Sequence, residues 1–197
     1  MPNAVSSHAV PNLAMNPRQQ RYSQLPRHPL VLCASLVGNP MNLGALCRTA
    51  EACRLESLVL PDVGIIEERQ FRRVAVTTHH WQPLQACAPA HLIPWLEAQR
   101  ERGYTRLALA CDNQAQSLMT ATFPQRAVLL LGRELTGIPA ELLAQCDQTL
   151  VIPQYGLVDS LNVQTAAAMA VYEYLRQWGL DPFPRGNGGD PANASPQ

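Results

Sequence analysis

Three segments of the 197-residue chain gather the residue types that could do chemistry. The first runs Asn39-Pro-Met-Asn42-Leu-Gly44-Ala-Leu-Cys-Arg48. Asn42 reads as the N-cap of a helix, because a side-chain oxygen there satisfies an orphan backbone N–H. Arg48 then falls inside that helix among small and apolar neighbours, an odd setting for a purely solvated arginine. The second runs Leu131-Gly132-Arg133-Glu134-Leu-Thr-Gly137 directly after a buried apolar run. Glycines at such a turn let the backbone approach a ligand and expose its N–H groups, although turn geometry alone also calls for glycine. The third runs Ile152-Pro153-Gln154-Tyr-Gly156-Leu-Val-Asp-Ser160-Leu161-Asn162 into an alanine-rich helix. Ser160 reads as the cap of a helix from Leu161, which leaves Asn162 in the first turn with no local reason to be there.

Other chemistries are excluded by what the chain lacks. All 15 basic residues are arginine. Without lysine there is no P-loop, no Schiff-base or pyridoxal chemistry and no kinase strand lysine. We read the absence itself as composition bias. The chain has no G-x-S-x-G elbow, no H-E-x-x-H and no G-x-G-x-x-G. His79 and His80 are adjacent, cannot share one face, and read as loop residues rather than metal ligands. Six cysteines include no C-x-x-C pair and lie mostly in apolar stretches. Reduced thiols in a cytoplasmic protein are the expectation. No apolar run approaches the roughly 18 residues of a membrane span, and no secretory signal pattern opens the chain.

The zero net charge argues against binding nucleic acid through bulk charge. Its distribution is uneven. Residues 1–29 carry Arg18, Arg21 and Arg27 with no acid, whereas residues 30–178 carry 11 arginines and 13 acids. Arg69, Arg72 and Arg73 cluster near a short helix, as a solvated face or as an RNA-backbone contact.

These residues need a frame to hold them. Residues 1–29 show no periodicity and are expected to be a flexible arm, and the Gly/Pro/Asn-rich 179–197 a disordered tail. Between them, at 30–178, apolar runs alternate with helical patterns. Strands are predicted at 30–36, 57–61, 106–111, 127–132 and 149–153. Helices are predicted at 42–53, 67–74, 89–102, 139–146 and 161–178. The alternation predicts an α/β domain with a mostly parallel sheet.

Together and in this order, the three segments resemble the SpoU class of SPOUT RNA 2′-O-methyltransferases. Asn42, Gly44 and Arg48 are similar to its N-x-G-x-x-x-R motif. Gly132, Glu134 and Gly137 are similar to G-x-E-x-x-G, and Ile152, Pro153, Gly156, Ser160, Leu161 and Asn162 to I-P-x-x-G…S-L-N-V. The stretches RTAEACRLESLVL, ERQFRRVAV, HHWQPL and LLLGRELTGIPAELL also resemble the catalytic domain of tRNA guanosine-18 2′-O-methyltransferases. Gln154 is a departure, at a position where many members have methionine. The resemblance implies a SPOUT α/β-knot fold with a C-terminal trefoil knot, which simple topology rules would not propose. It also implies S-adenosylmethionine as methyl donor without a metal, a homodimer with a shared active site, and RNA, above all tRNA, as partner.

The implied cofactor-binding residues are Leu131, Gly132, Ile152, Pro153 and Leu161. The implied catalytic residues are Arg48, supported by Asn42, Glu134, Ser160 and Asn162, with Arg48, Arg69, Arg72 and Arg73 toward RNA. A guanidinium has a pKa above roughly 12 and is rarely a base. Arg48 is therefore either deprotonated in the substrate complex or, as the physics favours, a fixed charge that stabilises the developing alkoxide. The competing readings are an rRNA or wobble-position 2′-O-methyltransferase and a catalytically silent RNA-binding module.

Overall fold

The computed structural model describes residues 16–112, 114–158 and 160–180. Seven strands form one sheet: β1 (His28–Cys33), β2 (Leu55–Leu60), β3 (Leu84–Ala86), β4 (Thr105–Leu109), β5 (Gln116–Ser117), β6 (Ala127–Leu131) and β7 (Gln148–Val151). Their spatial order is β3-β2-β1-β6-β4-β7-β5, and every neighbouring pair is parallel. Parallel sheets need cover on both faces, so their strands read as continuous apolar runs. The run Leu30-Val-Leu-Cys33 shows how that cover is divided. Leu30 and Leu32 enter the core under α2 (Pro40–Ala52), α3 (Arg69–Ala75) and α6 (Val163–Trp178). Val31 and Cys33 enter the core under α4 (Leu92–Glu101) and α5 (Ala140–Leu143). In β6, Leu129 and Leu131 take the first side, and Val128 and Leu130 the second.

The predicted α/β class and all five predicted strands are present, with their ends shifted by at most three residues. Two edge strands, β3 and β5, are additional. They are two or three residues long, half-exposed and partly polar, so no apolar run marks them. The predicted helix at 89–102 is a short 3₁₀ turn at Pro89–His91 followed by α4.

Gly44 is a packing glycine. A Cβ there would lie 2.5 Å from the Phe71 carbonyl oxygen, so α2 and α3 touch backbone to backbone only because it is absent. A second tie joins β4 to the turn before β7. The Arg106 guanidinium, only 8% exposed, meets Asp147 in a bidentate pair of 2.7 and 3.1 Å. The Asp147 carboxylate also accepts the Arg106 backbone N–H, and Arg106 holds it below the usual carboxylate range.

The described part of the N-terminal segment is built against the body, in contrast to the expected free arm. A short helix of seven residues, α1 (Pro17–Ser23), precedes Arg27, which donates to the Leu55 and Trp81 carbonyls at 3.1 and 2.6 Å. Arg27 is thereby committed to backbone oxygens. Arg21 is exposed on α1, and the side chain of Arg18 and the expected tail from residue 181 lie outside the described residues.

His28, at the start of β1, joins the two ends of the body. Its Nδ1 lies 2.8 Å from the Cys53 carbonyl oxygen, which can only accept, so the proton sits on Nδ1. Its Nε2 accepts the Leu180 backbone N–H at 2.9 Å. Burial lowers the His28 pKa, and protonation of Nε2 would turn an acceptor into a donor facing a donor. The unfolded chain binds this proton first. Stability is therefore complete above about pH 6.5 and declines as pH falls through the folded value. His79, also lowered by burial, acts in the same window. The urea midpoint is expected to drop between pH 7.5 and 5.5, and the drop to shrink in His28→Gln; an unchanged drop removes His28 from this account.

Candidate active site

The three chemistry-bearing segments meet beyond the C-terminal ends of β4, β6 and β7, where ligands bind in open α/β sheets. The second and third enclose a cavity of about 580 Å³, and the first reaches it through the bonds of Asn42 to Glu134 and Asn162. Its walls come from Leu109–Asp112, Leu131–Ile138, Ile152, Gln154, Ser160–Val163, Leu143 and Ala166. Of the predicted cofactor residues, Leu131, Gly132, Ile152 and Leu161 line it, and Pro153 does not.

Geometry explains the glycines. Arg133 and Gly137 exchange both backbone hydrogen bonds, at 3.0 and 3.1 Å, closing the loop on itself. A Cβ on Gly132 would lie 2.8 Å from the Gly137 carbonyl carbon, and Gly137 takes φ +65°. Only glycine fits at 132, position 137 favours it, and the resulting loop is one wall of the cavity.

Two predicted caps are corrected. The N-cap of α2 is Asn39, not Asn42: its side chain accepts the Met41 N–H at 2.9 Å, and Pro40 starts the helix with a preset φ. The N-cap of α6 is Asn162, not Ser160, accepting the Gln164 N–H at 2.9 Å. Ser160 lines the cavity instead. The correction frees Asn42 and gives Asn162 two jobs.

The consequence is a directed chain of hydrogen bonds. The cap bond fixes the Asn162 oxygen, so its Nδ2 is left to donate to Asn42 Oδ1 at 3.2 Å. Asn42 Nδ2 then donates to Glu134 Oε1 at 3.1 Å. Residues 42, 134 and 162 thus form one unit, in which a helix terminus sets the orientation of a carboxylate. An ionised carboxylate only accepts, which completes the polarity of the chain.

Arg48 stands apart from this unit. It follows Asn42 by six positions, which places it about 120° around α2 and about 9 Å further along. It is exposed, does not line the cavity and has no hydrogen bond or ion pair among the described residues. Arg69, Arg72 and Arg73 line a separate open depression of about 530 Å³ with Glu67. Arg72 pairs with Glu67 and donates to the Ile66 carbonyl, so Arg69 and Arg73 are the unspent charges. His79 and His80 form a 3₁₀ turn and stack at 4.1 Å between ring centroids. Among the described residues no three His, Cys, Asp or Glu side chains group as metal ligands.

Sequence reasoning missed part of the cavity wall: Leu109, Ala110, Asp112, Leu135, Thr136, Val163 and Ala166. The available signal was position, since the residues at 110–112 follow a central strand directly.

Residues 29–172 match the SpoU rRNA Methylase family. A mouse tRNA (guanosine(18)-2′-O)-methyltransferase is 38% identical over 148 residues, covering 75% of this chain and 9% of that protein. The chain therefore spans only a small part of that relative. The Thermus thermophilus tRNA (guanosine(18)-2′-O)-methyltransferase is 33% identical over 72% of this chain and 71% of its own length. Among solved structures, the Aquifex aeolicus TrmH/SpoU tRNA modifying enzyme superposes with a TM-score of 0.71 at 24% identity, covering 80% of this chain and 79% of that one. An AdoMet-bound rRNA methyltransferase from Sinorhizobium meliloti gives 0.65 at 26% identity, covering 79% and 59%. A structure concerned with 2-OH methylation of C/U34 on tRNA gives 0.61 at 32% identity, covering 75% and 93%.

The two jobs of Asn162 can be separated. Serine keeps a capping oxygen but is too short to reach Asn42, whereas alanine loses both. Asn162→Ala is expected to cost about 1 kcal/mol in urea unfolding and Asn162→Ser less than half of that. Equal costs would show that capping is not what Asn162 contributes to stability.

Proposed function

The chain belongs to the SpoU rRNA methylase family, and from that premise we propose that it methylates the ribose 2′-hydroxyl of guanosine 18 in tRNA, with S-adenosylmethionine as donor. The observation that carries this reading is the Asn162–Asn42–Glu134 chain at the edge of a glycine-walled cavity. The tRNA assignment draws support from the names of the mouse and Thermus relatives.

The cavity suits the donor. Its volume falls in the roughly 300–1,000 Å³ range of small-molecule sites. Leu109, Leu131 and Ile152 offer apolar wall to a purine, and Asp112 and Glu134 offer negative charge to a cation. When bound, S-adenosylmethionine supplies a methyl group on a sulfonium that leaves as a neutral thioether. The protein must then align the acceptor oxygen and let its proton pass to a base or to water as the O–CH3 bond forms. Glu134, oriented by Asn42, and Ser160 are the cavity-lining groups placed to hold the ribose.

Arg48 is read as acting from a second copy of the chain, because in one copy it lies off the cavity wall. A homodimer is supported by exposed apolar side chains on the loop after β7 and on α6: Tyr155 is 88%, Leu157 103% and Tyr172 74% exposed. There its guanidinium stabilises the alkoxide as a fixed charge. Arg69 and Arg73 meet the RNA backbone. The trefoil knot belongs to the same reading. Its support is the way 121–125 grips the end of α6: Tyr174 donates to the Gln125 carbonyl, Gln177 to Ala121 and Trp178 to Phe123, at 2.7–2.9 Å. The free cysteines support a cytoplasmic location.

A second reading, methylation at the wobble position, is favoured by the identity to the C/U34-related structure. Incubating the protein with unmodified tRNA and S-adenosylmethionine and mapping ribose methylation decides between them. Methylation at position 18 is expected; methylation at 34 supports the second reading, and none in tRNA or rRNA overturns both. Arg48→Ala is expected to lower the rate about 100-fold or more, with partial rescue by Arg48→Lys. Absence of rescue speaks against a pure charge role. Asn162→Ser is expected to lower the rate with little loss of stability.

If Arg69 and Arg73 touch phosphates, replacing either by alanine lowers tRNA affinity evenly across sequences. It also reduces the slope of log affinity against log salt by about 1. An unchanged slope returns the arginines to the solvated surface.

A further inference from the structure

Buried polar atoms without a partner are rare in folded proteins, and each asks for an explanation. One of them is in the cavity wall. Gln154 Oε1 is buried and has no hydrogen-bond partner among the described residues. Its own Nε2 is turned toward Cys111 Sγ at 3.7 Å, a weak contact. The residue lies in the loop three positions after β7, immediately after Pro153, whose ring limits the local conformation. Leu109 and Ile152 supply apolar wall to the same cavity.

An amide oxygen in such a place accepts an N–H. The methyl donor carries two kinds, an ammonium and the exocyclic amine of its adenine. An ammonium taken from water needs a carboxylate, and the cavity offers Glu134 and Asp112 for that purpose. A neutral aromatic amine between apolar walls is matched by a neutral amide oxygen. We propose that Gln154 Oε1 accepts a hydrogen bond from the exocyclic amine of the bound donor's adenine, making Gln154 a residue that selects adenine over other purines. This rests on the methyl-donor reading given above.

The test is a ligand–residue double cycle by calorimetry. The probes are S-adenosylhomocysteine and its analogue with hydrogen in place of the exocyclic amine. Wild type is expected to bind S-adenosylhomocysteine about 5–10-fold more tightly than the analogue, the weight of one hydrogen bond to an otherwise unsatisfied group. Gln154→Met, similar in size but without the acceptor, is expected to bind both probes equally. Gln154→Leu serves as a second apolar variant, and unchanged thermal unfolding confirms that both fold. 5′-Methylthioadenosine, which lacks the amino-acid portion, should show the same loss on substitution as S-adenosylhomocysteine. A loss confined to S-adenosylhomocysteine would assign Gln154 to the ammonium and overturn the adenine assignment. Equal affinities of wild type and Gln154→Met for S-adenosylhomocysteine, or equal losses for both probes, overturn the hydrogen bond. Failure of the wild type to bind any probe overturns the methyl-donor reading itself, and this inference with it.

Discussion

Covering a parallel sheet on both faces commits its strands to apolar side chains on both sides, as in Leu30-Val-Leu-Cys33. Polar chemistry is thereby expelled from the body of the sheet and can gather only beyond the strand ends. The strand order decides at which point. The chain lays down β1, β2 and β3 outward to one edge and then starts again on the other side with β4. The C-terminal ends of β4, β6 and β7 therefore lie side by side, although Leu109 and Val151, which end β4 and β7, are 42 positions apart in sequence. The cavity is where those ends diverge.

Within this frame, orientation is transmitted rather than assembled locally. A backbone N–H at the start of α6 fixes one amide, that amide fixes a second on α2, and the second fixes a carboxylate on the loop after β6. Each link has a single sense, because a carbonyl oxygen and an N–H₂ cannot exchange places without breaking two bonds. Two glycines make the arrangement possible by absence. Gly44 brings α3 against α2, and Gly132 lets the 133–137 loop close.

The sheet and most helices were legible because burial writes itself into sequence as periodicity. The short edge strands β3 and β5 were not, since half-exposed pairs of residues carry no period. Both misplaced caps arose where two capping residues lie two or three positions apart, Asn39 with Asn42 and Ser160 with Asn162. Pro40, preset for a first helical position, was the deciding mark in one case. In the other, local sequence is silent, because Asn162 is selected by a bond to a residue 120 positions away. The motif segments stood out by residue type and spacing, but their roles were legible only through family resemblance. The turn of Arg48 away from the cavity, and the unpartnered oxygen of Gln154, depend on helix phase and packing that no spacing records.

The imidazole of His28 stands at the opposite pole from the cavity, at the N-terminal end of a sheet whose strands all point the same way. Through it, the chain entering β1 and the chain leaving α6 depart from one spot. Both described ends of this body therefore lie on the side of the sheet away from the cavity. The unit is a plug with its wiring at the back. That arrangement suits a domain whose counterpart occupies 9% of the mouse relative's length.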